Sequence, residues 1–169
     1  MSEVPYRVVL LDSSHNRKGF HSGVAPLDEY LHTVVSQDVK RRAATCYVAL
    51  DKDDRIAGYY TVAMQHNNLP DLPDDLRKKL PRYPTVPAVI MGRLAVDLAF
   101  KGIGLGGALL GNALNRMARS EFASYAMVVD AKDQSALDFY QHHGFQAFAH
   151  EPMKMFLPIA TWLKAQPKI

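Results

Sequence analysis

A glycine-rich turn near the middle of the chain has the residue types of a phosphate-binding loop. The strand-like run Leu94-Ala95-Val96 precedes it, and Lys101-Gly102-Ile103-Gly104-Leu105-Gly106-Gly107 opens an apolar-periodic helix. Glycine lets the backbone approach an anion without a Cβ in between, and the first amides of a helix have no carbonyl partners. These free amides and the positive end of the helix favour a pyrophosphate. The turn is therefore predicted to bind one.

The spacing of the glycines excludes two common nucleotide-binding loops. No Gly-Lys-Ser/Thr follows the turn, so it is not a Walker A sequence. Gly102, Gly104 and Gly106 do not have the spacing of the dinucleotide fingerprint, and no acidic residue follows at the usual distance. An ordinary strand-to-helix loop without a ligand is the alternative interpretation.

A second segment of interest follows the helix that the turn opens. Residues 125–131 are predicted to form a strand, and residues 135–143 a short helix that stops at Gly144. The helix contains Phe139 and Tyr140, and Phe145 follows the stop. A tyrosine hydroxyl is a usable proton donor, and packing of the ring in the core is the alternative.

These two segments, in this order, resemble the GNAT superfamily of acetyl-CoA-dependent N-acetyltransferases. The family signature, Gln/Arg-x-x-Gly-x-Gly/Ala at the start of a helix, is matched except that Lys101 replaces the Gln or Arg. Relatives often carry Arg at the position of Gly107, and Asn near Asp133 or Gln134. The resemblance implies an α/β fold in one domain, 1–169. Its central sheet would be mostly antiparallel, with about six or seven strands flanked by helices, and a splayed strand pair would hold acetyl-CoA.

The resemblance also implies the roles of the site residues. Backbone amides at a strand bulge would polarise the thioester carbonyl during direct attack by the amine in a ternary complex. The hydroxyl of Tyr140 would then protonate the CoA thiolate as the general acid. No metal is implied. The residues expected to bind acetyl-CoA are Leu94, Ala95, Val96, Lys101, Gly102, Ile103, Gly104, Leu105, Gly106, Gly107, Asp133, Ala136, Phe139 and Tyr140.

A general base is not identified by the residue pattern. An α-amino group, with a pKa near 8, needs little help to become the neutral nucleophile. His66, Asp97 and the adjacent pair His142 and His143 are the candidates, and each is more often a solvated or structural residue. No spacing of His, Cys and Asp in the chain suggests a metal site.

A closer resemblance is to the toxin branch of this superfamily. It implies acetylation of the α-amine of an aminoacyl-tRNA, which blocks translation, a small ribbon-helix-helix antitoxin as partner, and a homodimer. The segments that carry it are Phe20-His21-Ser22-Gly23, Leu27-Asp28-Glu29-Tyr30-Leu31, Gly58-Tyr59-Tyr60-Thr61, Leu80-Pro81-Arg82-Tyr83-Pro84, Val86-Pro87-Ala88, Gly92-Arg93-Leu94-Ala95-Val96-Asp97 and Val129-Asp130-Ala131-Lys132-Asp133.

Clustered basic residues agree with an RNA substrate. The net charge is only +3, so the distribution of charge is more informative than its sum. Two solvated helix ends are the alternative, because Lys and Arg are favoured at helix C-termini. The residues expected to contact tRNA are Lys40, Arg41, Arg42, Arg77, Lys78, Lys79, Arg82 and Arg93.

Composition sets the remaining limits. A chain of 169 residues with 48% hydrophobic residues suits one domain with a proper core. No apolar run is long enough to span a membrane, and the N-terminus lacks a signal pattern, so a cytoplasmic location is expected. The one cysteine, Cys46, excludes an internal disulfide and is interpreted as a small buried apolar residue.

Hydrophobic periodicity predicts mixed α/β order, with antiparallel strands first and a βαβ unit later. Leu27, Leu31, Val34 and Val35 are expected to share the buried face of the first helix. The C-terminal residues 161–167 either cover an apolar surface or fray. The predicted strands are 7–11, 45–50, 56–64, 86–96, 125–131, 145–148 and 154–157, and the predicted helices are 22–40, 71–80, 104–121 and 135–143.

The residue pattern has two alternative interpretations. A GNAT enzyme that acetylates a small-molecule amine or a protein N-terminus would keep the glycine turn and Tyr140 but would not need the basic clusters. A catalytically inactive GNAT domain that only binds a partner is disfavoured, because both the turn and Tyr140 are intact.

Overall fold

The computed structural model describes residues 6–68, 72–78 and 85–167. In this part of the chain the strands are β1 (Arg7–Leu10), β2 (Thr45–Leu50), β3 (Ile56–Asn68), β4 (Thr85–Val96), β5 (Ala126–Asp130), β6 (Gln146–Phe148) and β7 (Glu151–Pro158). The α-helices are α1 (Ala25–Glu29), α2 (Val35–Lys40), α3 (Asp74–Arg77), α4 (Leu105–Arg119), α5 (Gln134–His142) and α6 (Ile159–Ala165). A π turn (Tyr30–Val34) joins α1 to α2, and a 3₁₀ turn (Leu98–Phe100) precedes α4.

The strands form a mixed sheet in the order β1-β2-β3-β4-β5-β7-β6. The pairs β1–β2, β2–β3, β5–β7 and β6–β7 are antiparallel, whereas β4 and β5 are parallel. A parallel pair needs a crossover, which α4 supplies. The predicted α/β fold, with a mostly antiparallel sheet flanked by helices and a late βαβ unit, is thereby confirmed.

The chain divides into two compact units. The first comprises Met1–Ala63 and Gly92–Ala113, and the second comprises Met64–Met91 and Leu114–Ile169. In the first unit, the helical segment after Phe20 packs on β2 and β3. Tyr59 lies at the centre of this core, with its ring against those of Phe20 and Tyr30 and its hydroxyl donating to the Leu27 carbonyl at 2.7 Å.

The segment from 25 to 40 is not the continuous α-helix that periodicity predicts. Leu31 and Val35 are buried as expected, but the side chain of Val34 is 39% exposed. The Val35 amide donates to the Tyr30 carbonyl, a five-residue step that widens the turn. Because the wider turn shifts the phase of the buried face, Val34 rotates out of the core.

The opposite face of β3 contacts α4 at very short range. A Cβ on Gly58 would lie 2.8 Å from Leu109 Cδ1 and 2.9 Å from the Ala95 carbonyl oxygen. Successive strand residues point to opposite faces, so Gly58 faces α4 while Tyr59 faces α1. Glycine at this position therefore permits the close approach of helix and strand.

The second unit is built on β5. In the parallel pair, Ala88–Met91 of β4 align with Ala126–Val129, and β7 lies antiparallel on the other side. A cluster of Leu72, Val86, Ala88, Val128, Phe148 and Phe156 forms its core. Within the described part of the chain, no helix is both long enough and apolar enough to cross a bilayer.

Several element boundaries differ from the predictions. The predicted helix 71–80 is only α3 in the described residues, and Asp71, Lys79 and Leu80 lie outside them. The last strand is longer than predicted and spans Glu151–Pro158. Residues 161–165 belong to α6, whose first residue, Ile159, is buried, so this part of the C-terminus does not fray.

Two glycine substitutions in the first unit are expected to act in opposite directions. Gly58→Ala forces a Cβ against the Ala95 carbonyl and should lower the free energy of unfolding by about 1–3 kcal/mol through overpacking. Gly111→Ala is the control, because a Cβ there meets nothing within 4 Å and alanine is favoured in a helix by about 1 kcal/mol. Urea denaturation measures both, and destabilisation by Gly111→Ala would contradict this packing.

Candidate active site

A buried carboxylate at the end of β4 fixes the path of the chain into the glycine turn. Asp97 is 2% exposed. It accepts hydrogen bonds from the amides of His21 and Ala99, both at 2.9 Å, and its own amide donates to the Ala57 carbonyl at 2.8 Å. Arg55 Nη2 lies 3.5 Å from its Oδ1. These contacts give Asp97, a candidate base in the sequence, a structural role.

The glycine turn has the backbone conformation that an anion-binding loop needs. Gly102 and Gly104 have φ values of +82° and +83°, in the left-handed region where side chains are strained. A Cβ at either position would meet no described atom within 4 Å, so the space beside the loop is open. Lys101 is exposed, and Leu105 is buried and anchors the start of α4.

The first turn of α4 supplies the hydrogen-bond donors. The Ala108 amide donates to the Gly104 carbonyl at 3.0 Å, which begins the intrahelical series. The amides of Leu105, Gly106 and Gly107 precede it and are therefore the orphan donors of the helix N-terminus. These amides and the Lys101 ammonium are hydrogen-bond donors, and the oxygens of a pyrophosphate are anionic acceptors, so the residues present fit this group.

β4, the strand before the glycine turn, contains the second backbone segment that was predicted to bind acetyl-CoA. The register of β4 with β5 covers Ala88–Met91, and β4 then continues through Leu94, Ala95 and Val96. Ala95 is buried in the core of the first unit. The expected strand bulge at this position stays a prediction.

Tyr140 is a buried phenol on α5 of the second unit. The residue is 8% exposed, and its ring centroid lies 5.3 Å from that of Phe139 and 5.4 Å from that of Phe145. Burial and, to a smaller extent, the charge of Asp130 raise the pKa of Tyr140 to about 12. The ring therefore packs among aromatic side chains, which was the alternative to a role as proton donor. The hydroxyl keeps its proton at neutral pH.

The ends of α5 are set by local signals. The Asp133 carboxylate accepts from the Ala136 amide at 2.8 Å, which caps the helix and engages one oxygen of a residue expected at the cofactor site. At the other end, Gly144 has a φ of +95°, and the Phe145 amide donates to the Tyr140 carbonyl at 3.0 Å. This cap and stop place Tyr140 in the last turn of the helix.

The histidines considered as bases have ordinary surroundings. His66 is exposed, and its Nδ1 lies 3.5 Å from the Thr85 hydroxyl. The His143 ring packs 4.7 Å from Phe139, and burial followed by the neighbouring His142 lowers the pKa of His143. Cys46 is buried as predicted, and burial raises its pKa to about 12, which removes it as a thiolate nucleophile.

The predicted tRNA contacts separate into two exposed clusters and one stacked residue. Lys40, Arg41 and Arg42 follow one another at the end of α2 in the first unit. Arg77 and Lys78 lie at the end of α3 in the second unit, and Arg77 pairs with Asp74 at 2.8 Å. Lys79 and Arg82 lie outside the described residues.

Arg93 differs from both clusters. Its guanidinium carbon lies 3.4 Å from the centroid of the Tyr30 ring, and the Tyr30 hydroxyl donates to Asp38 Oδ2 at 2.7 Å. From the sequence, Arg93 was predicted to contact tRNA as a basic residue near the active-site strand. The structure gives its guanidinium a cation–π partner in the core of the first unit.

Sequence reasoning missed a polar group beside α1. Asp28 is buried, and His21, Glu29 and His32 lie with it around a cleft. The sequence carried a signal, because positions 25, 28, 29, 32 and 33 have the spacing of one helix face.

Two curated relatives match most of the chain. A protein from Mycobacterium tuberculosis described as a tRNA-acetylating toxin is 31% identical over 140 residues, which is 82% of each chain. A probable toxin TacT from Sinorhizobium fredii is 27% identical over 157 residues, which is 87% of each chain.

Solved structures share the fold at lower identity. A tyrosine-to-phenylalanine mutant of KacT has a TM-score of 0.88 at 23% identity, over 96% of this chain and 99% of that one. AtaT complexed with acetyl-methionyl-tRNAfMet has a TM-score of 0.85 at 24% identity, over 92% and 96%. A similar mutant of AtaT, bound to acetyl-CoA and to the C-terminus of the antitoxin AtaR, has a TM-score of 0.77 at 21% identity, over 96% and 99%.

The family comparison covers both of the segments that the sequence singled out. The model of the family described as Acetyltransferase (GNAT) family matches residues 11–145, which include the glycine turn, α4, β5 and α5. With this match and the relative that is 31% identical, the chain belongs to the GNAT family of acetyltransferases.

Proposed function

We propose that this chain is a toxin-type N-acetyltransferase. It transfers the acetyl group of acetyl-CoA to the α-amine of an aminoacyl-tRNA and so blocks translation. The open glycine turn at the start of α4 is the observation that carries the use of acetyl-CoA. The relative described as a tRNA-acetylating toxin, and the complex of AtaT with acetyl-methionyl-tRNAfMet, support the choice of acceptor.

Acetyl-CoA binds through its pyrophosphate to the backbone amides of the glycine turn. Lys101 supplies the cation beside them, which offsets the absence of an arginine at Gly107. Leu94, Ala95 and Val96 present backbone groups to the pantetheine and the thioester carbonyl. The resemblance to the family adds Asp133, Ala136 and Phe139 of α5 to the residues proposed to bind acetyl-CoA. The structure of AtaT bound to acetyl-CoA supports this co-substrate.

The reaction is direct transfer in a ternary complex. The neutral amine attacks the thioester carbonyl, the C–N bond forms, and the C–S bond breaks. Tyr140 donates its hydroxyl proton to the departing thiolate and regains a proton from solvent, while the amine loses one. Because burial raises the pKa of Tyr140 to about 12, the hydroxyl is protonated and ready to donate at neutral pH.

An α-amino acceptor suits a site in which no base is identified. With a pKa near 8, a useful fraction of the amine is neutral at pH 7. The exposed cations at the ends of α2 and α3 hold the phosphates of the tRNA, and such contacts give an affinity that depends on salt.

The proposed partners rest in part on the same relatives and in part on the sequence resemblance to the toxin branch. AtaT is bound to the C-terminus of an antitoxin in one solved structure, which supports an antitoxin for this chain as well. The antitoxin is of the ribbon-helix-helix type, the enzyme is a homodimer, and both act in the cytoplasm.

The decisive test is transfer of labelled acetyl from acetyl-CoA to total charged tRNA. Label is expected on aminoacyl-tRNA and not on deacylated tRNA, because only the former has the α-amine. Label that reaches free amines or protein N-termini, and leaves charged tRNA untouched, would instead identify a small-molecule or protein acetyltransferase.

Tyr140→Phe should separate catalysis from binding. The change removes only the hydroxyl, so kcat should fall about 100-fold or more through loss of the general acid. The dissociation constant of acetyl-CoA should change little, because the ring packing against Phe139 and Phe145 remains. Tyr125→Phe is the matched control in the same unit and should keep normal kinetics. Equal kcat values for both variants would contradict the role of Tyr140.

The pH dependence of kcat is a second test of Tyr140 as the general acid. A general acid is active while protonated, and the raised pKa keeps Tyr140 protonated until the pH approaches about 12. The wild-type kcat should therefore rise as the amine loses its proton and then stay level through about pH 10. A decline in kcat with a midpoint below about pH 9 would show that another group is the acid.

Removal of a basic cluster should weaken tRNA binding in a salt-dependent way. Lys40, Arg41 and Arg42 are changed together to Gln in one variant, and Arg77 and Lys78 in a second. Each should raise the dissociation constant of charged tRNA about tenfold at low salt. Each should also reduce the slope of the salt dependence by about one unit for every phosphate that the variant no longer neutralises.

The control for both variants carries Gln at Lys52 and Lys164, which are exposed and lie outside the clusters. Filter binding at several salt concentrations gives the slopes. If the cluster variants and the control bind tRNA equally, the clusters do not contact phosphates.

A further inference from the structure

An acidic cleft lies beside α1 and the π turn, entirely within the first unit. Its volume is about 440 Å³, in the range of small-molecule sites. Asp28, Glu29 and His32 line it from the helical segment, and His21 and Gly23 line it from the preceding loop. The glycine turn and Tyr140 are not among the residues that line it.

Asp28 has one satisfied oxygen and one without a hydrogen-bond partner. Its side chain is only 9% exposed. Oδ1 accepts from the Ser22 amide at 2.9 Å and from the Ser22 hydroxyl at 2.6 Å. No described residue donates a hydrogen bond to Oδ2, although His21 Nδ1 lies 3.3 Å away. A hydrogen-bond donor that reaches a buried carboxylate oxygen in this state binds favourably, because it replaces the hydration that the oxygen has lost.

The cleft carries negative charge. Burial alone would raise the pKa of Asp28, but the hydrogen bonds from Ser22 and the nearby His21 and His32 outweigh it, so the pKa is lowered. Glu29 adds an exposed carboxylate on the same wall. The two anionic side chains therefore select a cationic group.

His32 adds acceptor capacity, whereas His21 covers the buried oxygen. His32 Nε2 lies 2.9 Å from the Phe20 carbonyl, which can only accept, so Nε2 bears the proton and leaves Nδ1 to accept when the ring is neutral. The side chain of His21 is 71% exposed and lies against Oδ2, so its ring must rotate away before a ligand reaches that oxygen.

The π turn shapes this wall. His32 and Thr33 both belong to it and both line the cleft, while Thr33 Oγ1 donates to the Glu29 carbonyl at 2.9 Å. Single π turns within α-helices are frequent at functional sites. The irregularity of this helical segment thus coincides with the cleft.

We propose that this cleft binds a primary alkylammonium group, with Oδ2 of Asp28 as its principal acceptor. An ammonium has three N–H donors and no acceptor, which matches a buried carboxylate oxygen in a cleft that a second carboxylate, Glu29, also lines. The group belongs either to an amine substrate of the enzyme or to a free polyamine. The proposal does not depend on tRNA as the acceptor, because the cleft is defined by the first unit alone.

The test is calorimetric titration of the whole chain with 1,4-diaminobutane, in the presence of EDTA and at constant ionic strength. 1,4-Butanediol, which has the same length and no charge, is the matched ligand. The diamine should bind and the diol should not. Equal binding of the two would overturn the proposal.

Asp28→Asn is the first variant. The amide oxygen still accepts from Ser22, while the NH₂ group replaces Oδ2 and repels a cation. Binding of the diamine should weaken about tenfold or more, because one charge-assisted hydrogen bond is removed. Glu29→Gln, at an exposed position, should weaken it about threefold.

Glu121→Gln, an exposed residue of the second unit, is the control and should bind the diamine as the wild type does. Circular dichroism confirms folding of each variant. If Asp28→Asn does not fold, Glu29→Gln and the diol still decide the result. Wild-type affinity in folded Asp28→Asn or, where that variant fails to fold, in Glu29→Gln would overturn the proposal.

Addition of acetyl-CoA then distinguishes the two sources of the ammonium. If mass spectrometry finds N-acetyl-diaminobutane, and its formation falls in Asp28→Asn, the cleft holds the amine that loses its proton and attacks the thioester. If the diamine binds and is not acetylated, the cleft anchors a polyamine that is not a substrate. The cleft binds an ammonium group in both cases.

Discussion

The buried carboxylate of Asp97 is the constraint on which the first unit depends. An ionised group removed from water is unfavourable unless hydrogen bonds and opposite charge replace its hydration. Two backbone amides and Arg55 do so here. One of the amides belongs to His21, which lines the acidic cleft, and the other to Ala99, in the turn that leads to the glycine loop. A single side chain therefore sets the geometry of two separate places where ligands are proposed to bind.

Local signals made much of this structure predictable. The glycine turn and α4 were identified because glycine and helix periodicity act over a few residues, and α5 was placed within one residue at each end with the help of its stop at Gly144. The parallel pair of β4 and β5 followed from the βαβ order, since a short turn cannot join parallel strands. These features depend on neighbours in sequence and so are visible without a structure.

Features that depend on distant residues were not predictable. The π turn, at the end of which Val34 is exposed, is one example, because no residue type within it indicates the wider turn. The stacking of Arg93 on Tyr30 joins residues far apart in the chain, as does the contact of the Asp97 carboxylate with the His21 amide. The spacing of positions 25, 28, 29, 32 and 33 indicates a shared helix face, but the burial of Asp28 and the lack of a hydrogen-bond donor to its Oδ2 exist only once Ser22 has folded over it.

The sheet ends on strands that are among its shortest. β6 has three residues and β1 has four, and at the β1 edge the guanidinium of Arg7 is paired with Asp54. Long exposed edges invite another chain to add a strand, which leads to aggregation, and short or charged edges are a common protection. Within the described residues, the two edges of the sheet therefore offer few backbone groups for such pairing. Short edges of this kind limit the addition of a strand from a second copy of the chain.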